Sequence, residues 1–303
     1  MNKNKQTNYA YAAGYVDGDG CFYIGKILPK RRLSYKFPVS IVVVSVNINI
    51  LNIFKNLYGG SIHSNKKIIE EHRQLHYYTL RKQDSFNFIN KIYDFLVEKK
   101  EEAEIMLSFI KSNNFNDKTN LINKLRIHKD INNLVSKHHK EEFYCVKNTI
   151  EPTENDFAYL AGFIDAECCL TISKYKPNNR PNFTYKILLQ LNNTKAPVFK
   201  WLLERFGGNI TFVNRHKTNK SLKNQFCWRI SGKALSKLLP KITQFLEHKK
   251  PVAEELIKFY ETTLINGGDR HTEQFRTIYN ETIKIREEII QKIHKLNLKG
   301  NNT

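Results

Sequence analysis

The chain has 303 residues, 41% of them hydrophobic, and a formal charge of +20 at pH 7, which is room for two domains of ordinary size and a strong pull toward a polyanion, most simply a nucleic acid. No apolar run approaches the ~20 residues that span a bilayer, so of membrane roles only surface attachment would remain. The five cysteines form no CxxC pair and no alternating Cys/His spacing, which argues against a zinc site and fits a reducing compartment.

In chain order, residues 1–7 are polar, without an apolar signal core or an Arg-rich leader, and nothing there directs import. A short helix beginning near residues 7–9 closes on Ala12-Ala13-Gly14-Tyr15-Val16-Asp17-Gly18-Asp19. It is apolar on nearly all sides, the pattern of a helix buried within protein. Residues 21–27 alternate as a strand, Lys30, Arg31 and Arg32 form a basic turn, and 35–46 is a β-branched run, together a hairpin with a basic tip. Residues 49–58 have helical period and stop at Gly59-Gly60. A second hairpin over 61–69 and 73–81 carries Lys66, Lys67 and Arg73, and amphipathic helices follow over 84–96 and 101–110. The order αββαββα comes from these periodicities alone. Residues 119–139 keep helical spacing with many basic residues between, a basic helix joining two halves.

The second half repeats the plan. Thr153 and Asp156 can form a capping box at the start of a helix that closes on Leu160-Ala161-Gly162-Phe163-Ile164-Asp165-Ala166-Glu167. Strands are expected over 169–175, 182–191, 209–217 and 225–231, and helices over 196–206, 233–246 and 253–264. A final helix over 273–296 has no evident counterpart in the first half, and packing outside domain two is expected of it. Gly162, Asp165 and Glu167 stand 148 positions after Gly14, Asp17 and Asp19, and Lys249-Lys250 stand 150 after Lys99-Lys100, so the chain is a tandem duplication with a two-residue insertion. Domains are therefore expected at 1–115 and 153–268, with a helical basic linker at 116–152 and a helical extension at 269–303.

Glycine inside a helix costs about 0.5 to 1 kcal/mol relative to alanine, so Gly14 and Gly162 are expected to meet where two backbones cross closely. That crossing brings Asp19 and Glu167 together. Paired carboxylates repel unless a proton or a cation is shared, and hard oxygen ligands suit Mg²⁺.

The two octets resemble the repeated motif of the LAGLIDADG homing endonucleases in their single-chain, two-motif form, and the likeness in layout covers roughly residues 8–265. The resemblance implies an α+β fold of two pseudo-symmetric αββαββα domains. Their antiparallel sheets would form a DNA-binding saddle, and their motif helices would pack at the domain interface. It implies that Asp19 and Glu167 are the metal-binding acids, with Gly18 and Ala166 beside them in the metal site. It places a basic catalytic residue at Lys233, twelve positions before Phe245, where the first half has Gln83, and a water-positioning residue at Asn193, with Ser45 as its rough partner. One departure stands out: Cys168 occupies the position of Gly20, and a Cβ there is expected to strain the helix exit.

Groove-facing residues would begin four positions past each acid and continue in steps of two, which selects Tyr23 in one half and Thr171, Ser173 and Tyr175 in the other. Lys36, Ser40, Lys186, Gln190, Lys217 and Arg229 are candidates on later strands, since two-stranded ribbons fit a major groove. Lys30, Arg31, Arg32, Lys66, Lys67, Arg73, Arg180 and Arg215 are expected to meet DNA as well, mostly at phosphates. The implied cofactor is Mg²⁺, with Mn²⁺ able to substitute and Ca²⁺ binding without supporting cleavage. The function expected is site-specific double-strand DNA cleavage by a monomer, promoting mobility of a host intron. An intron RNA maturase and a non-cleaving DNA-binding regulator are the alternatives. Abundant Asn, Lys and Ile suit an organelle-encoded protein, mitochondrial first, with a chloroplast or bacterial host as the other settings.

Overall fold

The computed structural model describes residues 4–30, 34–65, 74–131, 143, 146, 149–178, 183–215, 223–262 and 273–299. Helix α1 (Lys5–Asp19) starts earlier than its periodicity predicts because the Asn4 side chain accepts the Gln6 N–H and caps it. Its mate α6 (Glu154–Glu167) starts at the predicted capping box: Thr153 and Asp156 bond each other's backbone reciprocally. Both helices are buried over most of their length, α1 from Ala10 to Asp17 and α6 from Ala158 to Asp165. They bury these faces against each other.

The crossing is closer than side chains permit. A Cβ on Gly14 would stand 2.0 Å from the Tyr159 carbonyl oxygen, and one on Gly162 would stand 2.0 Å from that of Tyr11. The same two positions would lie 3.0 Å from the Phe163 nitrogen, just past Gly162, and 2.9 Å from the Tyr15 nitrogen, just past Gly14. The backbones therefore cross at the two glycines, as the sequence led us to expect, each glycine receiving the carbonyl one turn before the other.

Behind this interface each half builds one antiparallel sheet. The first contains β1 (Gly20–Ile24), β2 (Val39–Ser45), β3 (Ser61–Ser64) and β4 (His76–Arg81) in the order β1-β2-β4-β3. The second contains β5 (Cys168–Tyr175), β6 (Thr184–Asn193), β7 (Asn209–Val213) and β8 (Gln225–Ser231) in the order β5-β6-β8-β7. Alternation along the strands divides each sheet into two faces. Phe22, Ile41, Val43, Tyr78 and Leu80 point inward and are buried with Leu51 and Phe54 of α2 (Ile48–Tyr58) and with Phe88 and Ile89 of α3 (Gln83–Ile92). The second sheet repeats this through Leu170, Leu189, Phe226, Trp228 and Ile230, against α7 (Pro197–Phe206) and α8 (Gly232–Thr243). Gly59 (φ 76°) and Gly207 (φ 64°) end α2 and α7 in the left-handed region, at the predicted stops. The architecture is the α+β, two-domain arrangement expected, with αββαββα order in each half closed by α3 and α8 and followed by α4 (Lys100–Lys111) and α9 (Lys250–Glu261).

The C-terminal helix does have a counterpart. Helix α5 (Phe115–Ile131) lies along the edge strand β1, where Lys129 Nζ donates to the Phe22 carbonyl at 2.7 Å. Helix α10 (Glu273–Lys299) lies along the edge strand β5, where Asn297 Nδ2 donates to the Leu170 carbonyl at 3.0 Å. Phe22 and Leu170 are 148 positions apart, so the two carbonyls are equivalent. Both helices cover an edge that would otherwise offer free pairing groups. Helix α10 is further tied by Arg286 to Thr262, by Lys292 to Glu255 and by the Lys174–Glu287 ion pair. Their sequences share no pattern, which is why the equivalence is invisible before folding.

The crossing yields a direct expectation. Gly14→Ala or Gly162→Ala should destabilise the chain by about 3 kcal/mol or more, because the added carbon forces two backbones apart. Thermal unfolding measures it, and an unchanged midpoint would show that the helices do not cross at these residues.

Candidate active site at the motif-helix ends

Four side chains set the C-terminal ends of α1 and α6. Asp17 is fully buried, and its carboxylate accepts the backbone N–H groups of Val97, Glu98 and Lys99 at 2.8, 3.0 and 2.9 Å. The Tyr159 hydroxyl of the other half donates to it at 2.6 Å. Asp165 does the same for Glu247, His248 and Lys249 at 2.8, 3.2 and 2.7 Å, and receives the Tyr11 hydroxyl at 2.7 Å. Burial raises both phenols far above their usual range, and the facing carboxylates push the same way, so both tyrosines remain donors. Each aspartate thus anchors the loop that leads into the following helix, α4 or α9, and also clasps the opposite domain.

The anchored loops deliver two lysines. Lys99 Nζ donates to the carbonyls of Val16, Asp17 and Gly18 at 2.8, 2.7 and 3.2 Å. Lys249 Nζ donates to those of Ile164 and Asp165 at 2.6 and 3.2 Å. A cation at a helix C-terminus satisfies orphan carbonyls and opposes the negative end of the helix dipole. Here it also stands beside the acids that end each helix.

Those acids are Asp19 and Glu167. The helices come so close that a Cβ on Gly18 would lie 2.5 Å from the Ala166 Cβ and 3.0 Å from the Glu167 Cγ. Burial and then the Glu167 charge push Asp19 up to about 7, against the pull of Lys99 and Lys249. Burial also raises Glu167, again against those lysines. Among the described residues no group of three or more His, Cys, Asp or Glu side chains could hold a metal, so a cation at this point would have only this pair of described carboxylates as side-chain ligands. Two half-desolvated carboxylates that resist simultaneous ionisation are a donor set that fits a hard divalent cation.

Around this centre the two halves differ. Asn193, at the end of β6, donates through Nδ2 to Glu98 at 2.9 Å, and Lys195 Nζ pairs with Glu98 and Glu102 at 3.5 and 3.0 Å. Burial pushes Glu98 up to about 7 against Lys99 and Lys195. The equivalent positions of the other half are neutral: Ser45 Oγ accepts from the Tyr15 hydroxyl at 3.1 Å, and Asn47 Nδ2 lies 2.6 Å from His248 Nδ1. Burial lowers the His248 pKa below its ordinary value. One side of the interface is therefore latched by ions and the other by neutral groups.

Two sequence expectations change. Lys233 is exposed in the first turn of α8, whereas the lysine charges that bear on Asp19 and Glu167 come from Lys99 and Lys249. The alignment through Phe245 located a helix start, not the cation at the centre. Cys168 does not strain the exit of α6: it takes an extended backbone (φ −90°, ψ 156°), is buried, and turns its thiol toward the Phe163 carbonyl.

The outer sheet faces carry the remaining candidates. Tyr23 (46% exposed) and Tyr175 (49%) stand on them, with Thr171 and Ser173 half-buried beside Tyr175 and Ser40 opposite Tyr23. Lys186 and Arg229 are exposed on β6 and β8, Gln190 is half-buried between them, and Lys36 is exposed opposite Ile27 where the first hairpin continues. Lys30 and Arg215 are exposed in turns beyond the strands. Arg31, Arg32, Lys66, Lys67, Arg73, Arg180 and Lys217 lie outside the described residues. No helix among the described residues is long and apolar enough to cross a membrane.

The raised Asp19 makes stability depend on pH. Its folded pKa, about 7, exceeds the ordinary 3.8, so its contribution is complete below the unfolded value and is lost as pH rises through 7. Without divalent cations, Asp19→Asn should therefore stabilise the chain at pH 8 by on the order of 2 to 4 kcal/mol. The advantage should fade toward pH 4. Denaturant unfolding across that range checks it, and a pH-independent difference would mean that Asp19 is not raised in the folded chain.

The family model described as LAGLIDADG endonuclease matches residues 12–103 and 160–266. Among solved structures, a lysine-to-alanine variant of I-SmaMI superposes with a TM-score of 0.65 at 14% identity, covering 95% of this chain and 98% of that one. The LAGLIDADG homing endonuclease I-GzeII in complex with its DNA target gives 0.61 at 17% identity, over 92% and 97% of the two chains. I-SmaMI bound to uncleaved DNA in the presence of calcium ions gives 0.61 at 15%, over 92% and 98%. Curated protein sequences gave no match. With both repeats matched by one family model and both motif helices meeting at their acidic ends, this chain belongs to the LAGLIDADG endonuclease family.

Proposed function

We propose that the chain is a site-specific double-strand DNA endonuclease that uses Mg²⁺ held between Asp19 and Glu167. The observation that carries this reading is the forced approach of these two carboxylates, one from each half, beside Lys99 and Lys249. A site that only bound DNA would have no use for buried carboxylates, which repel phosphate and cost desolvation energy. A divalent cation bound there would polarise the scissile phosphate and make water nucleophilic near neutral pH.

The protein's own groups do the rest. Lys99 and Lys249 fix the helix ends and keep positive charge beside the acids, where it favours the ionised, metal-binding form. Asn193, with its amide held by Glu98 and by the Thr194 and Lys195 N–H groups, is in our reading the polar group that orients water on one side, with Ser45 on the other. The sheet faces and the basic turns bind the duplex, and since both acids sit in one chain a monomer suffices. The DNA-bound relatives support a DNA partner. Mobility of a host intron and an organellar setting belong to the same proposal, the second resting on the abundance of Asn, Lys and Ile. Mn²⁺ should replace Mg²⁺, and Ca²⁺ should support binding alone.

Asp19→Asn or Glu167→Gln should abolish double-strand cleavage while leaving duplex affinity nearly intact. Retained cleavage in either variant would sink the assignment. With Lys99 and Lys249 as the cations of the centre, Lys233→Met should leave both strand rates nearly unchanged. A strand-specific loss of about a hundredfold, the scale for removing a group that stabilises developing charge, would restore Lys233 to the site. Affinity should also fall steeply with salt, with a slope of about −0.9 per phosphate contact, and a flat profile would argue against a duplex-binding saddle.

A further inference from the structure

The outer faces of the two sheets are built in register, so equivalent rows can be compared across the duplication. One row of the second sheet runs Cys169, Gln190, Arg229, Asn209 across all four strands. Its mate in the first sheet runs Cys21, Val42, Thr79, Ser61. The outer positions are similar in kind. The two central ones are not: Gln190 and Arg229 stand where the first half has Val42 and Thr79.

In the second row the arginine is held. Arg229 Nε donates to Gln190 Oε1 at 3.0 Å. This partner is neutral, so it orients the group without cancelling its charge. An arginine that serves only to neutralise phosphate needs no such orientation, and the basic residues suited to that task sit in the turns, as Lys30 and Arg215 do. Arg229 lies instead on a central strand, at the middle of the face. A guanidinium fixed through Nε presents its terminal nitrogens end-on, the geometry that meets the O6 and N7 acceptors of guanine in the major groove.

Resting on the endonuclease reading above, we infer that Arg229 reads a guanine in the half-site under the second sheet and that Gln190 is its positioning residue. The mirror position of the other half-site faces Val42 and Thr79, which offer methyl groups and no bidentate donor, and so carries no guanine requirement from this row. The target is asymmetric at this pair of positions.

The test is selection of bound duplexes from a randomised library by the full chain in Ca²⁺, for wild type, Arg229→Ala and Gln190→Ala. Both side chains lie on the outer face, and both variants should fold. Wild type should enrich a guanine at one position of one half-site by about ten- to a hundredfold. Arg229→Ala should erase that preference alone. Gln190→Ala should weaken it several-fold, and the double variant should look like Arg229→Ala. If Arg229→Ala instead lowers affinity for all sequences alike and reduces the salt slope by about 1, the contact is to phosphate and the inference is wrong. An unchanged consensus in Arg229→Ala overturns it equally, and an unchanged guanine preference in Gln190→Ala removes the positioning role. If wild type enriches no duplex at all, the endonuclease reading falls first and takes this inference with it.

Discussion

The close approach of the α1 and α6 backbones at Gly14 and Gly162 decides everything else. With no Cβ on either glycine, each helix admits the other's peptide carbonyl. That approach lets the Tyr11 and Tyr159 hydroxyls reach Asp165 and Asp17 across the interface, and it fixes the ends of both helices relative to one another. Asp17 and Asp165 then convert a helix-packing contact into a site, because each also binds the loop that brings Lys99 or Lys249 to the helix C-terminus. Packing, capping and electrostatics are here one connected set of bonds.

The arrangement carries an intrinsic cost. Asp19 and Glu167 are brought together where water is scarce, and the strain appears as an aspartate held at about 7. Such perturbed groups cluster where chemistry is done. The rest of the interface has diverged around this shared centre. Lys195, Glu98 and Glu102 form a largely buried ionic latch on one side, while Asn47 and His248 form a neutral one on the other. A buried ion pair adds little net stability over apolar packing, yet breaking one is expensive. The ionic side therefore tolerates loss of a partner less well than the neutral side, and the duplicated halves are not interchangeable.

Much of this was legible in the chain because the duplication supplies its own control. Motif helices, hairpins and the two acids follow from periodicity and from matched spacings, and the capping box at Thr153 and Asp156 was read directly. What escaped reading is long-range. The Lys99 and Lys249 pair was visible as a register mark at a spacing of 150, but a lysine after a helix is ordinary until its amine is seen on carbonyls eighty residues away. Asp17 and Asp165 share that character, since no local pattern tells a backbone-capping aspartate from a solvated one. Helix α10 was read as unmatched because its tie to β5 is made by Asn297, whereas α5 uses Lys129 for the equivalent tie to β1. Lys233 is the opposite case: the spacing to Phe245 marks the exposed start of α8 and says nothing about what lies near it in the fold.

The central claim is that one cation site is shared by the two halves. It is tested most directly by titrating Mn²⁺ into the full chain bound to a duplex and following free Mn²⁺ by electron paramagnetic resonance. Wild type should bind Mn²⁺ with an affinity that rises with pH through about 7, where Asp19 loses its proton, and both Asp19→Asn and Glu167→Gln should lose that binding. If either variant keeps wild-type affinity and the same pH dependence, the two acids do not form one site.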